Sequence, residues 1–179
     1  MKYLKIIVLI VGACLGGMAI YVLAAPPKSP LDVAAFNSKK YDLEVVYSRP
    51  YKKGRLIFGS VENQALVPYK NYWRTGANAA TTFMTGSDIV FGGKEVPAGK
   101  YRLYSVPGAE SWSIFLNTEA EKYFAIMEPD KTKDLLEIEV SVSIIDGPIE
   151  QLTFDFSNDS TGVSLNLKWD TILITIPIK

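Results

Sequence analysis

The chain opens on an uninterrupted apolar run and then changes period. From Ile6 to Ala25, 20 residues, there is no charged side chain. Wound as a helix, that run is long enough to cross a hydrocarbon core of about 30 Å. Farther along, apolar positions recur every second residue, the period of a strand with one packed and one wet face. Leu43-Glu44-Val45-Val46-Tyr47 begins the alternation. Asp88–Phe91, a Gly92-Gly93 turn and Lys94–Pro97 read as a hairpin. Tyr101–Val106 and Ser111–Leu116 alternate on either side of Pro107-Gly108, and Leu136–Val142 and Leu152–Phe156 follow. The last two runs are Val163–Trp169 and Thr171–Ile176, with Asp170 read as a tight connection between them. About nine such segments predict an all-β domain, an antiparallel β-sandwich of jelly-roll-like form, preceded by one N-terminal transmembrane helix. Helix is expected elsewhere only in short pieces around Asn63–Tyr72 and Thr118–Ala125.

The N-terminal run divides the chain into residues 1–25, a transmembrane anchor or signal segment, residues 26–40, a linker, and residues 41–179, an exported β-sandwich domain. Pro26, Pro27, Ser29 and Pro30 stiffen the start of the linker, and Leu31 to Lys40 reads as spacer or short helix. Lys2 and Lys5 before the run keep the N-terminus cytoplasmic. The expected location is therefore the inner membrane, single-pass, with the bilayer as partner through residues 6–25 and the C-terminal domain periplasmic. Two alternatives stand beside it. Val22-Leu23-Ala24 offers small residues for signal cleavage, which would release a secreted domain, and Val11-Gly12-Ala13-Cys14 resembles a lipidation box. Gly12 and Gly16 also form a GxxxG pattern.

Composition narrows the chemistry. The chain has no His and one Cys, so neither a His-based triad, nor a His-ligated metal, nor an internal disulfide is available. Lys and Arg balance Asp and Glu at 19 each, which argues against nucleic-acid binding by bulk charge. No cofactor is implied. The balance hides an asymmetry: Lys39–Arg74 carries eight basic and three acidic residues, and Glu119–Asp159 carries eleven acidic and three basic. The basic half reads either as a patch for an anionic partner or as one face neutralised by the other.

The segment Tyr47–Thr82 does not alternate cleanly and is rich in aromatic, Arg, Gly and Pro residues. Its strings Tyr47-Ser48-Arg49-Pro50, Gly54-Arg55 with Ile57-Phe58-Gly59, Leu66-Val67-Pro68-Tyr69 and Trp73-Arg74-Thr75-Gly76-Ala77-Asn78 resemble the exported Gram-negative envelope proteins grouped as domain of unknown function 2911. The resemblance runs on through Pro97-Ala98-Gly99, Tyr101 and Trp112 to Ile176-Pro177-Ile178. It implies a β-rich exported domain and no assigned activity. Two positions depart from the pattern: similar sequences often carry Gly where Lys70 stands and Glu where Ala79 stands.

The residue chemistry of the same segment supplies the candidate site. Arg49, Arg55 and Arg74 are planar donor forks suited to carboxylate or phosphate, and Trp73 offers a flat amphipathic face. With Thr75 and Asn78 they make the candidate ligand-binding set, for an anionic or polyhydroxylated ligand such as an envelope glycan. The competing reading is architectural, with Arg74 capping loop carbonyls, Trp73 plugging one end of the domain, and Gly76 and Asn78 making the turn. No acid lies in Trp73–Thr82, and Ser48 lacks a nucleophile context. The expected function is thus a tethered extracytoplasmic binding or structural module of the cell envelope, with an envelope protein as a further possible partner. The alternative is a hydrolase or other enzyme acting on envelope glycans.

Overall fold

The computed structural model describes residues 12, 16, 17, 28–120, 127–160 and 162–179. The expected membrane segment therefore lies, three glycines apart, outside the described residues. Among those described, no helix is long and apolar enough to cross a membrane.

The described chain is nearly all antiparallel sheet. Six strands form the larger sheet: β1 (Leu31–Asn37), β2 (Asp42–Ser48), β5 (Thr81–Thr85), β8 (Gly99–Val106), β9 (Ser111–Asn117) and β10 (Asp134–Ser141), in that spatial order. Four more form a second sheet in the order β11 (Ser143–Asp159), β12 (Gly162–Ile178), β6 (Ile89–Phe91) and β7 (Lys94–Val96). A small parallel pair, β3 (Phe58–Gly59) and β4 (Val67–Pro68), stands apart. The inward residues of both larger sheets meet in one buried core. Leu43, Val45, Phe83, Leu103, Ile114 and Leu116 come from one sheet, and Leu152, Phe154, Leu165, Ile174 and Ile176 from the other.

Four sequence expectations change. Leu31–Asn37, read as spacer or short helix, is the edge strand β1, paired with β2 from Leu31↔Ser48 to Asn37↔Asp42. Ala34 and Phe36 are half-buried against the core while Leu31, Val33 and Ala35 on the other face are exposed, so apolar residues on both faces blur the period-two contrast. Asn63–Tyr72 is not helix but turn and β4. Of Thr118–Ala125, residues 118–120 are not helical and 121–125 lie outside the described residues.

The fourth change concerns Asp170. Val163–Trp169 and Thr171–Ile176 are not two strands joined by a turn but one 17-residue strand, β12. Asp170 adopts φ 54° within it, opposite Ile149, where the ladder with β11 shifts register. The sequence carries the signature of this bulge. Buried apolar positions are odd through Val163, Leu165, Leu167 and Trp169, then even at Ile174, Ile176 and Ile178. One extra residue flips the phase. The Gly92-Gly93 turn is as expected, with φ 55° and 90° joining β6 to β7.

Candidate functional site

The irregular segment after β2 is built on an aromatic floor. All three tryptophans of the chain, Trp73, Trp112 and Trp169, surround Phe58 at one end of the core. Trp73 stacks on Trp169 with ring centroids 6.0 Å apart and meets Trp112 edge-on at 5.8 Å. Its backbone is held in a two-way bridge to Ser105, N–H to O 2.8 Å and 2.9 Å. Trp73 is thus largely buried, with one side of it left to line open space.

Above this floor the chain turns sharply twice. Thr75 and Asn78 both take positive φ, 54° and 56°. For a β-branched residue that backbone is strained, by roughly 1–3 kcal/mol. Thr75 is fully buried and is held by its neighbours: its hydroxyl lies 2.9 Å from Ser105 Oγ, and its carbonyl accepts from the Thr81 hydroxyl at 3.0 Å. Gly76 has no room for a side chain, since a Cβ would sit 2.8 Å from Thr81 Oγ1 and 3.2 Å from the Ser48 carbonyl. This tight loop presents Arg74 and Asn78 outward. Arg74 Nη1 donates to the Asn78 carbonyl at 2.9 Å, which leaves the rest of its guanidinium uncommitted among the described residues.

A second wall comes from Pro50–Arg55, and the β12 bulge fixes it. Lys52 pairs with Asp170 at 2.5 Å, and the Lys52 and Lys53 amides donate to the carbonyl and carboxylate of Glu150 at 2.6 Å and 2.8 Å. A single residue at positive φ in a long strand thus turns a carboxylate toward the loop and anchors it. Arg55 closes the loop by donating from Nε to the Lys52 carbonyl at 3.0 Å and from Nη2 to the Tyr51 carbonyl. Lys53 and Gly54, at φ 49° and 70°, make the turn itself.

Between the two walls lies a cleft of about 730 Å3. Lys28, Lys53, Arg55 and Arg74 stand around it, and Trp73, Trp169, Leu66 and Val67 supply apolar surface. No Asp or Glu is among the lining residues. None of the four cations pairs with a carboxylate among the described residues.

Four of the six sequence candidates, Arg55, Trp73, Arg74 and Asn78, meet at this cleft. Two do not line it. Arg49 spans the two sheets, donating to the Leu152 carbonyl and the Thr153 hydroxyl, both at 2.9 Å, and pairing with Asp32 at 3.0 Å. Thr75 is buried in the loop beneath. Lys28, Lys53 and Trp169 line the cleft but are not among the candidates that the sequence singles out. Lys53 sits beside Gly54, a turn signal that could have found it. Trp169 reads as an ordinary core position, and Lys28 lies in a proline-rich stretch with no local signal.

No curated protein and no solved structure matches the chain. A family model described as "Protein of unknown function (DUF2911)" matches residues 29–178, a span that takes in β1 as well as the rest of the fold. The chain belongs to that family.

Proposed function

We propose that this protein is a membrane-tethered, extracytoplasmic binding module of the cell envelope, a β-sandwich whose basic cleft holds an anionic ligand. The observation that carries this reading is the charge of the cleft. Four cations surround about 730 Å3 of open space with no acid in the lining and no carboxylate partner among the described residues. Like charges gathered without counter-charge repel one another, and an anion relieves that repulsion. Arg55 and Arg74 add planar forks that match carboxylate or phosphate oxygens. An acidic envelope glycan carries such groups together with ring faces that suit apolar surface.

The sandwich reading is supported by the single core shared between the inward faces of the two larger sheets. The tether, with the domain on the periplasmic side of the inner membrane, rests on the apolar run Ile6–Ala25 and the lysines before it. Hydrolysis of glycans has no observation in its favour at this site, because a two-carboxylate mechanism needs acids that the cleft lining does not offer.

Tryptophan fluorescence tests the reading. The full chain in a neutral detergent would be titrated with inorganic phosphate and with an oligogalacturonate. Trp73 lies against the cleft, so occupancy should change its emission, and Trp73→Phe should remove most of that change. Saturable binding that weakens with added salt supports the cleft as an anion site. No response to either probe refutes it.

A further inference from the structure

The place where the chain enters the domain bears on where the anion comes from. Lys28 and Ser29 are themselves cleft residues. The Ser29 carbonyl accepts from Asn78 Nδ2 at 3.3 Å, and the Pro30 carbonyl accepts from the Arg49 amide at 2.8 Å. The entering strand is thus fastened to the same loop that carries Arg74. The apolar run ends at Ala25, and three Cα–Cα steps reach at most about 11 Å. If Ile6–Ala25 spans the bilayer, Lys28 lies within about 11 Å of the hydrocarbon boundary, and with a polar layer roughly 5–8 Å deep the cleft rim stands within or just beyond the headgroups.

A second observation points the same way. Most large apolar residues of a folded domain are buried, yet Leu56, Val61 and Leu66 are 46%, 60% and 43% exposed, all on the loop beside the basic residues. Leu56 and Leu66 are neighbours in space, since the Leu66 amide donates to the Leu56 carbonyl at 3.0 Å, and Leu66 lines the cleft. Cations beside exposed apolar side chains form a surface suited to the boundary between headgroups and acyl chains.

We propose that the cleft end of the domain docks on the surface of its own membrane, with Lys28, Lys53, Arg55 and Arg74 taking the phosphate of an anionic phospholipid and Leu56 and Leu66 entering the interface. This rests on the anion-site reading and names its source. Each cation near an anionic surface favours the docked state roughly fivefold. Loss of three should lower the docked-to-free ratio by roughly a hundredfold.

The test uses the full chain in nanodiscs. A polarity-sensitive dye is placed by Val61→Cys in a Cys14→Ser background, and nitroxide lipids report its depth. Discs of phosphatidylcholine alone are compared with discs containing phosphatidylglycerol. The expected result is quenching at headgroup depth in anionic discs, weak quenching in neutral ones, and loss of the difference in a Lys53→Gln/Arg55→Gln/Arg74→Gln variant. The lipid comparison needs no change to the cleft, so it decides the matter even where that variant fails to fold. Equal quenching in both discs, or none in either, overturns the proposal. A parallel arm adds soluble inositol hexakisphosphate to neutral discs and follows thermal melting. Stabilisation there without lipid-dependent docking keeps the anion site and moves its ligand into solution. No response in either arm removes the anion-site reading as well.

Discussion

Arg49→Ala separates architecture from binding. Arg49 shares its residue type with Arg55 and Arg74, but its guanidinium is committed on three sides, to the Leu152 carbonyl, the Thr153 hydroxyl and Asp32. These partners lie on β11 in one sheet and β1 in the other, so the side chain ties the edge strand β1 to the second sheet. Asp32 also accepts from the Tyr47 hydroxyl at 3.2 Å, and removing Arg49 strips the charge that stabilises that carboxylate. Hydrogen bonds from a charged donor contribute about 1.5–3 kcal/mol, and a half-exposed ion pair about 0–1 kcal/mol. The contacts are coupled, so their sum overstates the effect, and about 3 kcal/mol is the expected loss. For a chain of this size that is a drop in melting temperature of roughly 6–12 °C. Differential scanning calorimetry of the full chain in detergent measures it. Arg74→Ala, which removes a single bond to the Asn78 carbonyl that is exposed to solvent and so weakened by competing water, should cost about 1 kcal/mol or less in the same assay. Melting of Arg49→Ala within about a degree of the parent would refute the assignment of Arg49 as a tie between sheets.

Other outcomes follow from particular backbone and side-chain positions. Lys70 has φ 64°, in the left-handed region that glycine adopts without steric cost, so Lys70→Gly should raise the melting temperature by roughly 1–3 °C. Gly92→Ala should cost roughly 1–3 kcal/mol by urea unfolding, because its Cβ would fall 2.3 Å from Ile138 Cδ1 at φ 55°. Burial pushes the Tyr47 phenol up to about 12, and burial also raises Tyr101 and Tyr104. A raised folded pKa means the fold favours the protonated phenol. That stability is present in full below pH about 10, the unfolded value, and is lost as pH rises toward 12. Tyr47→Phe should therefore flatten the decline between those pH values, while lowering stability at neutral pH by about 1–3 kcal/mol through loss of the acceptor for the Phe154 amide. Equal slopes for the two proteins in alkaline urea titrations would contradict this.

Strand periodicity made most of the sheet legible because buried positions alternate over most of β2, β9 and β10, whereas β8 is buried on both faces from Tyr101 to Ser105 and is legible from its apolar and β-prone composition. Legibility failed where one rule hid another. β1 is an edge strand with Leu31 and Val33 exposed, so its alternation lacks the contrast of a half-buried strand. Asp170 looked like a turn because Asp is poor in strands, although the phase change between Trp169 and Ile174 marks a bulge. At the site, local chemistry identified Arg55, Trp73, Arg74 and Asn78, which share one irregular segment. It could not place Lys28 or Trp169, which lie outside that segment and reach the cleft only through tertiary packing. Nor could it tell a committed guanidinium such as Arg49 from an open one such as Arg74, because partners on β11 are set by tertiary packing.

The cleft as an anion site is tested most directly by the melting temperature of the full chain in neutral nanodiscs, titrated with inositol hexakisphosphate, for the parent and for Arg55→Gln/Arg74→Gln. Binding to the folded state at a hundredfold excess over Kd adds about 2.7 kcal/mol, or roughly 5–10 °C for this chain length. The expected result is a dose-dependent rise of that order in the parent and little or none in the variant. A parent that does not respond, or a variant that rises equally, would contradict the anion-site assignment.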